Sequence, residues 1–396
     1  MNTFREPLCS APFRGILVDT NKKVFPCVAW ADAYIGDLNT DKLSDILKNP
    51  VLEETRNLLS AHEWPHACRT CKNREEQTGN STRLDTYVNI KTQHSSKLAH
   101  IEYNSSNMCN LICIGCGPFH SSSWVHFTEE TEIKNRSESN SQRWQIYPAT
   151  KELIGQFEDI DLSELESLWF KGGEPFLNKE NVSLLEHLDS IGVLKNITID
   201  IMTNGTVYNH NFQTLLSKSK KVRMHISIDG VGDHNVWVRA GYETESVSHT
   251  DNIKENIKKY LLLENLAHIG NTYTIHALNV SRVTDFEVWW ENEIMVMDKR
   301  IHASIFDQFI LWPEHLSARV LSDSFRSKLA DTYESLDRRW AYKHVIDFLR
   351  LPYHNPFNDH HHHNRLVEYV GQLNRHRSKT IQSIVPELIP ELLDFV

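Results

Sequence analysis

No stretch of the sequence approaches the ~20 uninterrupted apolar residues of a membrane span, so no membrane partner is expected. The opening residues, Met1-Asn2-Thr3-Phe4-Arg5-Glu6-Pro7, lack the apolar core of a signal peptide, and a cytoplasmic location follows as the expectation. Basic clusters are scarce: the net charge is −10 with histidines neutral, and the longest basic stretch is Lys218-Ser219-Lys220-Lys221. Phosphate backbones are held by clustered Lys and Arg, which makes nucleic acid an unlikely partner. Cysteine is sparse and unevenly spread. The seven stand at 9, 27, 68, 71, 109, 113 and 116, and none follows. Thiols serving as ordinary buried residues would scatter along the chain, and an odd count in a reducing compartment argues against structural disulfides. Crowding into the first third points to metal.

What is present reads as an α/β protein. The 396 residues are enough for two or three structural units. Residues 1–90 are turn-rich and hold four cysteines. From Leu98 onward, apolar strands alternate with amphipathic helices. Strands are expected at 100–103, 167–170, 197–202, 222–228, 272–280 and 305–311, with helices at 178–190, 252–266 and 285–294 between them. Strands separated by helices of this length form a parallel sheet through right-handed crossovers. The expected architecture is a partial (β/α)6 TIM-type barrel over 98–311, working at the C-terminal ends of its strands. A small cysteine-rich domain (1–90) precedes it, and a helical extension (312–396) is expected to pack outside. Residues 128–147 read as a polar insertion.

Cys109, Cys113 and Cys116 have the spacing C-x3-C-x2-C directly after the first barrel strand. Three thiolates on one short loop can hold three irons of a [4Fe–4S] cluster and leave the fourth open. Zinc prefers four ligands, which His120 or His126 could complete, so zinc stays open on spacing alone. The spacing resembles the signature of the radical S-adenosylmethionine (SAM) superfamily, and further segments follow in that family's order. Lys171-Gly172-Gly173-Glu174-Pro175 resembles the element that binds the methionine amine of SAM. Met202-Thr203-Asn204-Gly205-Thr206 and Ser227-Ile228-Asp229-Gly230 end the next two strands, and Arg239 follows. The resemblance implies that Gly172, Gly173, Glu174, Pro175, Asn204, Ser227, Asp229 and Arg239 bind SAM, with Ser227 and Arg239 on its carboxylate or ribose. One departure is Gly115, where the family often has an aromatic residue near the adenine; Phe119 or Trp124 is the expected substitute.

Cys9, Cys27, Cys68 and Cys71 suffice to ligate a second centre, a [4Fe–4S] cluster or a zinc ion by ligand count. Arg14–Asp19 and Lys23–Pro26 read as hairpin arms around residues 19–22, and Cys68-Arg69-Thr70-Cys71 supplies a close pair. This segment resembles the SPASM/twitch auxiliary-cluster domain, placed here before the barrel, and the resemblance implies a second [4Fe–4S] cluster. The family's turn glycine is replaced by Lys22, and Asn21 is expected to take the positive φ instead. Residues 74–83 read as a solvated linker or a strap along the cavity.

The resemblance implies reductive cleavage of SAM to a 5′-deoxyadenosyl radical that abstracts hydrogen from substrate. The auxiliary cluster would accept or relay electrons, and a flavodoxin or ferredoxin would be the donor. A peptide or protein side chain is the first choice of substrate. A small molecule such as an amino sugar or nucleoside is the alternative, and a non-catalytic electron carrier is a third reading. Asp359-His360-His361-His362-His363 reads as an exposed polar loop, and Asp307 and Gln308 as possible cavity residues.

Overall fold

The computed structural model describes residues 9–87, 97–104, 106–133, 146, 151–353 and 361–393. Most of the expected 128–147 insertion and the start of the histidine run, Asp359 and His360, lie outside the described residues. The chain divides into two interleaved compact units: Met1–Met108, Tyr147–Met202 and Asn209–Arg223 form the first, and Cys109–Ile146, Thr203–Tyr208 and Met224–Val396 the second. The fold is α/β, as expected, with strands hydrogen-bonded in the order β3-β2-β1-β4-β5-β6-β7-β8. These are β1 (Gly15–Val18), β2 (Lys23–Phe25), β3 (Gly36–Asp37), β4 (His100–Tyr103), β5 (Ser167–Phe170), β6 (Thr198–Thr203), β7 (Lys221–Ser227) and β8 (Leu266–Thr272).

In the first unit β1 pairs antiparallel with β2 and parallel with β4, so the cysteine-rich segment extends the sheet. The parallel register runs Ile101↔Leu168↔Ile199 and Glu102↔Trp169↔Asp200. Alternation along each strand then separates two faces. Tyr103, Phe170 and their apolar neighbours pack under the helices, with Tyr103 edge-on to Phe157 at 5.9 Å and Phe170 to Phe212 at 5.5 Å. The opposite face is charged: Lys171 pairs with Glu102 at 3.1 Å, and Arg223 with Asp200 at 2.6 Å. Parallel sheets are usually apolar on both faces. Asn178 and Asn209 cap the helices Lys179–Ser190 and His210–Leu216, each accepting a first-turn amide.

The hairpin forms where expected, but Lys22 itself takes the left-handed conformation, φ 64°, in place of Asn21. Asp19 fixes it there: its carbonyl accepts the Lys22 amide and its carboxylate the Lys23 amide. Residues 69–78 are helical, so the expected linker begins as a helix.

The second unit holds the end of β7, all of β8 and the C-terminal helices. The strand expected at 272–280 lies earlier, at 266–272, because Asn279 accepts the His276 amide at 2.8 Å and bends 276–279 into a turn. What continues is β9 (Thr274–Ile275), paired in parallel with β10 (Gln308–Phe309) as a separate two-stranded sheet. Gln308 and Asp307 are exposed and hydrogen-bonded to each other. His361–His363 open the helix His361–Asn374 rather than a loop, with His362 buried against Glu314 at 2.6 Å. No helix among the described residues is long and apolar enough to cross a membrane.

Candidate functional site

The thiols Cys9, Cys27, Cys68 and Cys71 line one pocket in the first unit, together with Trp64 and Arg83 among others. The β1–β2 hairpin returns the chain from Cys9 to Cys27. Cys68 ends the short turn His66–Cys68, and Cys71 sits in the first turn of Arg69–Thr78. The Ala31 amide donates to the Ala67 carbonyl at 3.0 Å, tying the loop after Cys27 to the turn before Cys68. Arg83 is 3% exposed, bonds both oxygens of Glu75 (2.7 and 2.6 Å) and lies 5.0 Å over Trp64. Burial first, and then neighbouring sulfurs, pushes the thiols of Cys9, Cys27 and Cys68 up to about 12. Such thiols become thiolate ligands when a bound metal centre supplies positive charge. Four thiols lining one pocket match the ligand count of a fully ligated [4Fe–4S] cluster.

In the second unit Cys109–Cys116 forms a loop held by hydrogen bonds at many of its backbone groups. The Ile112 and Ile114 amides donate to the Ala240 and Val238 carbonyls at 2.8 and 2.9 Å. Ser123 Oγ donates to the Cys109 carbonyl (2.7 Å), Ser121 Oγ to Leu111 (2.7 Å) and Trp124 Nε1 to Cys113 (2.9 Å). Two residues of the C-terminal extension complete the set: Tyr369 Oη donates to the Ile114 carbonyl at 3.2 Å and Arg377 Nη2 to the Ile112 carbonyl at 3.3 Å. Nothing in the local sequence of either residue marks this role. Their partners lie 255 and 265 positions away, and only the folded chain joins them.

Polar groups also reach the sulfurs. Asn204 Nδ2 stands 4.0 Å from Cys109 Sγ and donates to Asn110 Oδ1 at 3.0 Å. Arg239 Nη1 is 3.6 Å from Cys113 Sγ, and its Nε donates to Asp229 at 2.6 Å. Burial opposes the Arg239 charge, but Asp229 and the Cys113 sulfur hold it above its ordinary pKa. Burial also raises the Cys113 thiol to about 12, against the Arg239 charge. Asp229 is anchored by the Thr274 amide (2.8 Å) and donates its own amide to Asn235 (3.0 Å). Ser227 closes β7 two residues before it, half-buried. Trp124 is fully buried with its indole N–H on the loop. At Gly115 a Cβ would stand 2.6 Å from Ile310 Cδ1, so the glycine makes room for Ile310.

Thus Cys109, Cys113, Cys116, Asn204, Asp229 and Arg239 are linked within one unit. Gly172–Pro175 belongs to the first, folded on the residues that precede Cys109 in sequence. Gly172 and Gly173 have φ 73° and 51°, and a Cβ on Gly173 would collide with the Met108 carbonyl oxygen. That carbonyl accepts the Glu174 amide at 2.7 Å. Glu174 is fully buried and accepts the Phe176 amide at 3.1 Å.

Two thiol sites on an α/β scaffold of alternating strands and helices are the pattern of a protein built around metal–thiolate centres. Residues 103–276 match the model of the radical SAM superfamily, and residues 9–72 that of the SPASM iron–sulfur cluster-binding domain. The chain therefore carries a radical SAM domain and, on its N-terminal side, a SPASM-type domain, and the two domains imply [4Fe–4S] clusters and SAM as cofactors. Among solved structures it is similar to anSMEcpe with bound AdoMet (19% identity over 59% of each chain, TM-score 0.37). It is also similar to Streptococcus suis SuiB bound to S-adenosylmethionine (13% identity, 74% of this chain and 58% of that one, TM-score 0.30). The chain spans about three fifths of the length of these proteins. No curated protein matches it.

Proposed function

We propose that the chain cleaves SAM reductively and uses the resulting radical to modify a peptide or protein side chain. The observation that carries this reading is the three-cysteine loop, clamped at its backbone while Asn204 and Arg239 approach its sulfurs. A reduced [4Fe–4S] cluster, when bound, supplies the electron that splits SAM into methionine and a 5′-deoxyadenosyl radical. The chain's own residues bind and orient. Cys109, Cys113 and Cys116 would hold the cluster. Gly172 and Gly173 let backbone approach the methionine amine, with Glu174 beside it. Ser227 and Arg239 would meet the SAM carboxylate or ribose, with Asp229 holding Arg239 in place. Cys9, Cys27, Cys68 and Cys71 would ligate the auxiliary cluster completely, which favours accepting or relaying electrons over gripping substrate. The peptide substrate is what the resemblance to the SPASM/twitch family implies.

Anaerobic reconstitution followed by a 5′-deoxyadenosine assay tests the reading. The wild-type protein should bind about eight irons, about four per cubane, and form deoxyadenosine. Cys113→Ala should reduce formation to background. A wild-type protein whose cluster signal ignores added SAM would sink the proposal.

A further inference from the structure

Of the two arginines beside the three-cysteine loop, one has no matching carboxylate among the described residues. Arg239 is matched by Asp229. Arg377 is 8% exposed, yet no carboxylate among the described residues is in salt-bridge contact with it, and its Nε is buried without a hydrogen-bond partner. Its guanidinium donates to the Ile112 carbonyl and lies 6.0 Å from the Phe127 ring. Glu245, the carboxylate on that side, accepts the Ser378 amide at 3.1 Å. Burying a guanidinium is costly unless a negative group faces it. Glu245 attracts the guanidinium without pairing with it, and three thiolates would bring the close negative group that is missing among the described residues. A thiolate-ligated cluster carries negative charge, and each electron it accepts makes that charge one unit larger.

We propose that Arg377 is the counter-charge of the cluster on Cys109, Cys113 and Cys116, and that it raises that cluster's reduction potential. The inference rests on the cluster assignment above and adds a role for the C-terminal extension, which acts on the electron's entry rather than on substrate. The step is a one-electron reduction: a low-potential donor of the flavodoxin or ferredoxin class is oxidised, and the cluster gains the electron. A fixed positive charge close by favours the more negative product. Arg377 is a positioning residue in this scheme, because it reaches the reacting atoms only through the field it sets and the carbonyl it holds.

The test is a dithionite titration of the reconstituted full-length protein against redox dyes. It follows the paramagnetic signal that changes on adding SAM, which separates this cluster from the auxiliary one. Arg377→Gln keeps an N–H for the Ile112 carbonyl and removes the charge. Arg377→Lys keeps the charge, and Tyr369→Phe breaks the other carbonyl clamp without touching charge. At a fixed potential Arg377→Gln should lower the reduced-to-oxidised ratio about tenfold, a shift of about 59 mV for one electron. Arg377→Lys and Tyr369→Phe should each stay within about twofold of wild type. The proposal fails if Arg377→Gln titrates like wild type with its SAM response intact. It fails too if Tyr369→Phe shifts the ratio as far, since loop position would then set the potential. Should Arg377→Gln take up no cluster while Arg377→Lys does, the charge is needed for ligation itself and the proposal stands; if neither loads, shape rather than charge is what the loop requires and it falls. An absent SAM response in the wild type would show before any variant, and would overturn the cluster assignment along with this inference.

Discussion

The four-cysteine pocket gathers thiols from three separate segments beside Trp64 and Arg83, whereas the three-cysteine loop carries its thiols on a single run from Cys109 to Cys116. In the pocket, shape comes from tertiary structure: a hairpin, a turn and a helix start must all be in place before four sulfurs face one another. In the loop, shape comes from capture of the backbone by neighbouring strands, serines, an indole and two residues of the C-terminal extension. The arginines differ in the same way. Arg83 is neutralised by Glu75 at 2.6 Å, while among the described residues Arg377 has no such partner. A charge-balanced pocket suits a fully ligated cluster that passes electrons. A loop with polar groups at its sulfurs and positive charge left over suits a cluster that must be reduced and must bind a ligand.

The largest expected effect separates the two sites. Cys68→Ala should lower bound iron from about eight to about four per chain, remove the modified product, and leave uncoupled deoxyadenosine formation within about threefold of wild type. Iron and sulfide counting alongside the deoxyadenosine assay decides it. Loss of SAM cleavage in this variant would mean that the two sites do not divide the work between them.

Next in size is the buried ion pair of the pocket. Arg83→Met strands the Glu75 carboxylate, whose side chain is 13% exposed, and should cost about 3–5 kcal/mol in urea unfolding. The double variant Glu75→Gln/Arg83→Met should recover most of that loss. If the single variant is neutral, the pocket does not depend on its charge balance. The corresponding perturbation of the loop is gentler. Gly115→Ala meets only the end of the Ile310 side chain, so about 1 kcal/mol is expected, restored by pairing it with Ile310→Val. A loss of several times that size would show that the loop backbone, and not Ile310, cannot give way.

How much of this was legible in the sequence follows from the range of each interaction. The strands at 100–103 and 167–170 and the helix after Asn178 were readable because alternation and capping are local. The spacing marked both cysteine groups, and the family resemblance marked Asp229 and Arg239, which the structure joins beside Cys113. The strand expected at 272–280 was displaced because the Asn279 side chain competes for the backbone, a turn that apolar patterning does not register. Arg377 and Tyr369 were invisible for a different reason. An arginine in a polar helical tail looks solvated until the fold buries it against a carbonyl 265 positions away. The glycine at 115 read as a missing aromatic residue, while in the structure it is room for Ile310.

The smallest effect concerns the turn that lets the pocket form. Lys22 holds φ 64°, a conformation that costs an L-residue about 1–2 kcal/mol and a glycine almost nothing. Glycine also loses more freedom on folding, which offsets about 0.5–1 kcal/mol. Lys22→Gly should therefore stabilise the protein by about 0–1.5 kcal/mol, read as a higher urea midpoint. The gain should depend on pH. Glu180 is 4% exposed, and burial raises its carboxyl from 4.5 to about 7, with the Tyr103 hydroxyl and the Lys22 charge acting in the opposite direction. A carboxyl raised on folding contributes its full stability below the unfolded value and loses it as pH rises through the folded one. Removing the Lys22 charge raises that folded value further and deepens the loss above it. The advantage of Lys22→Gly should accordingly be largest near pH 4.5 and shrink by pH 8. In a Glu180→Gln background it should be flat across the same range, and a pH dependence that survives there would show that another group faces the turn.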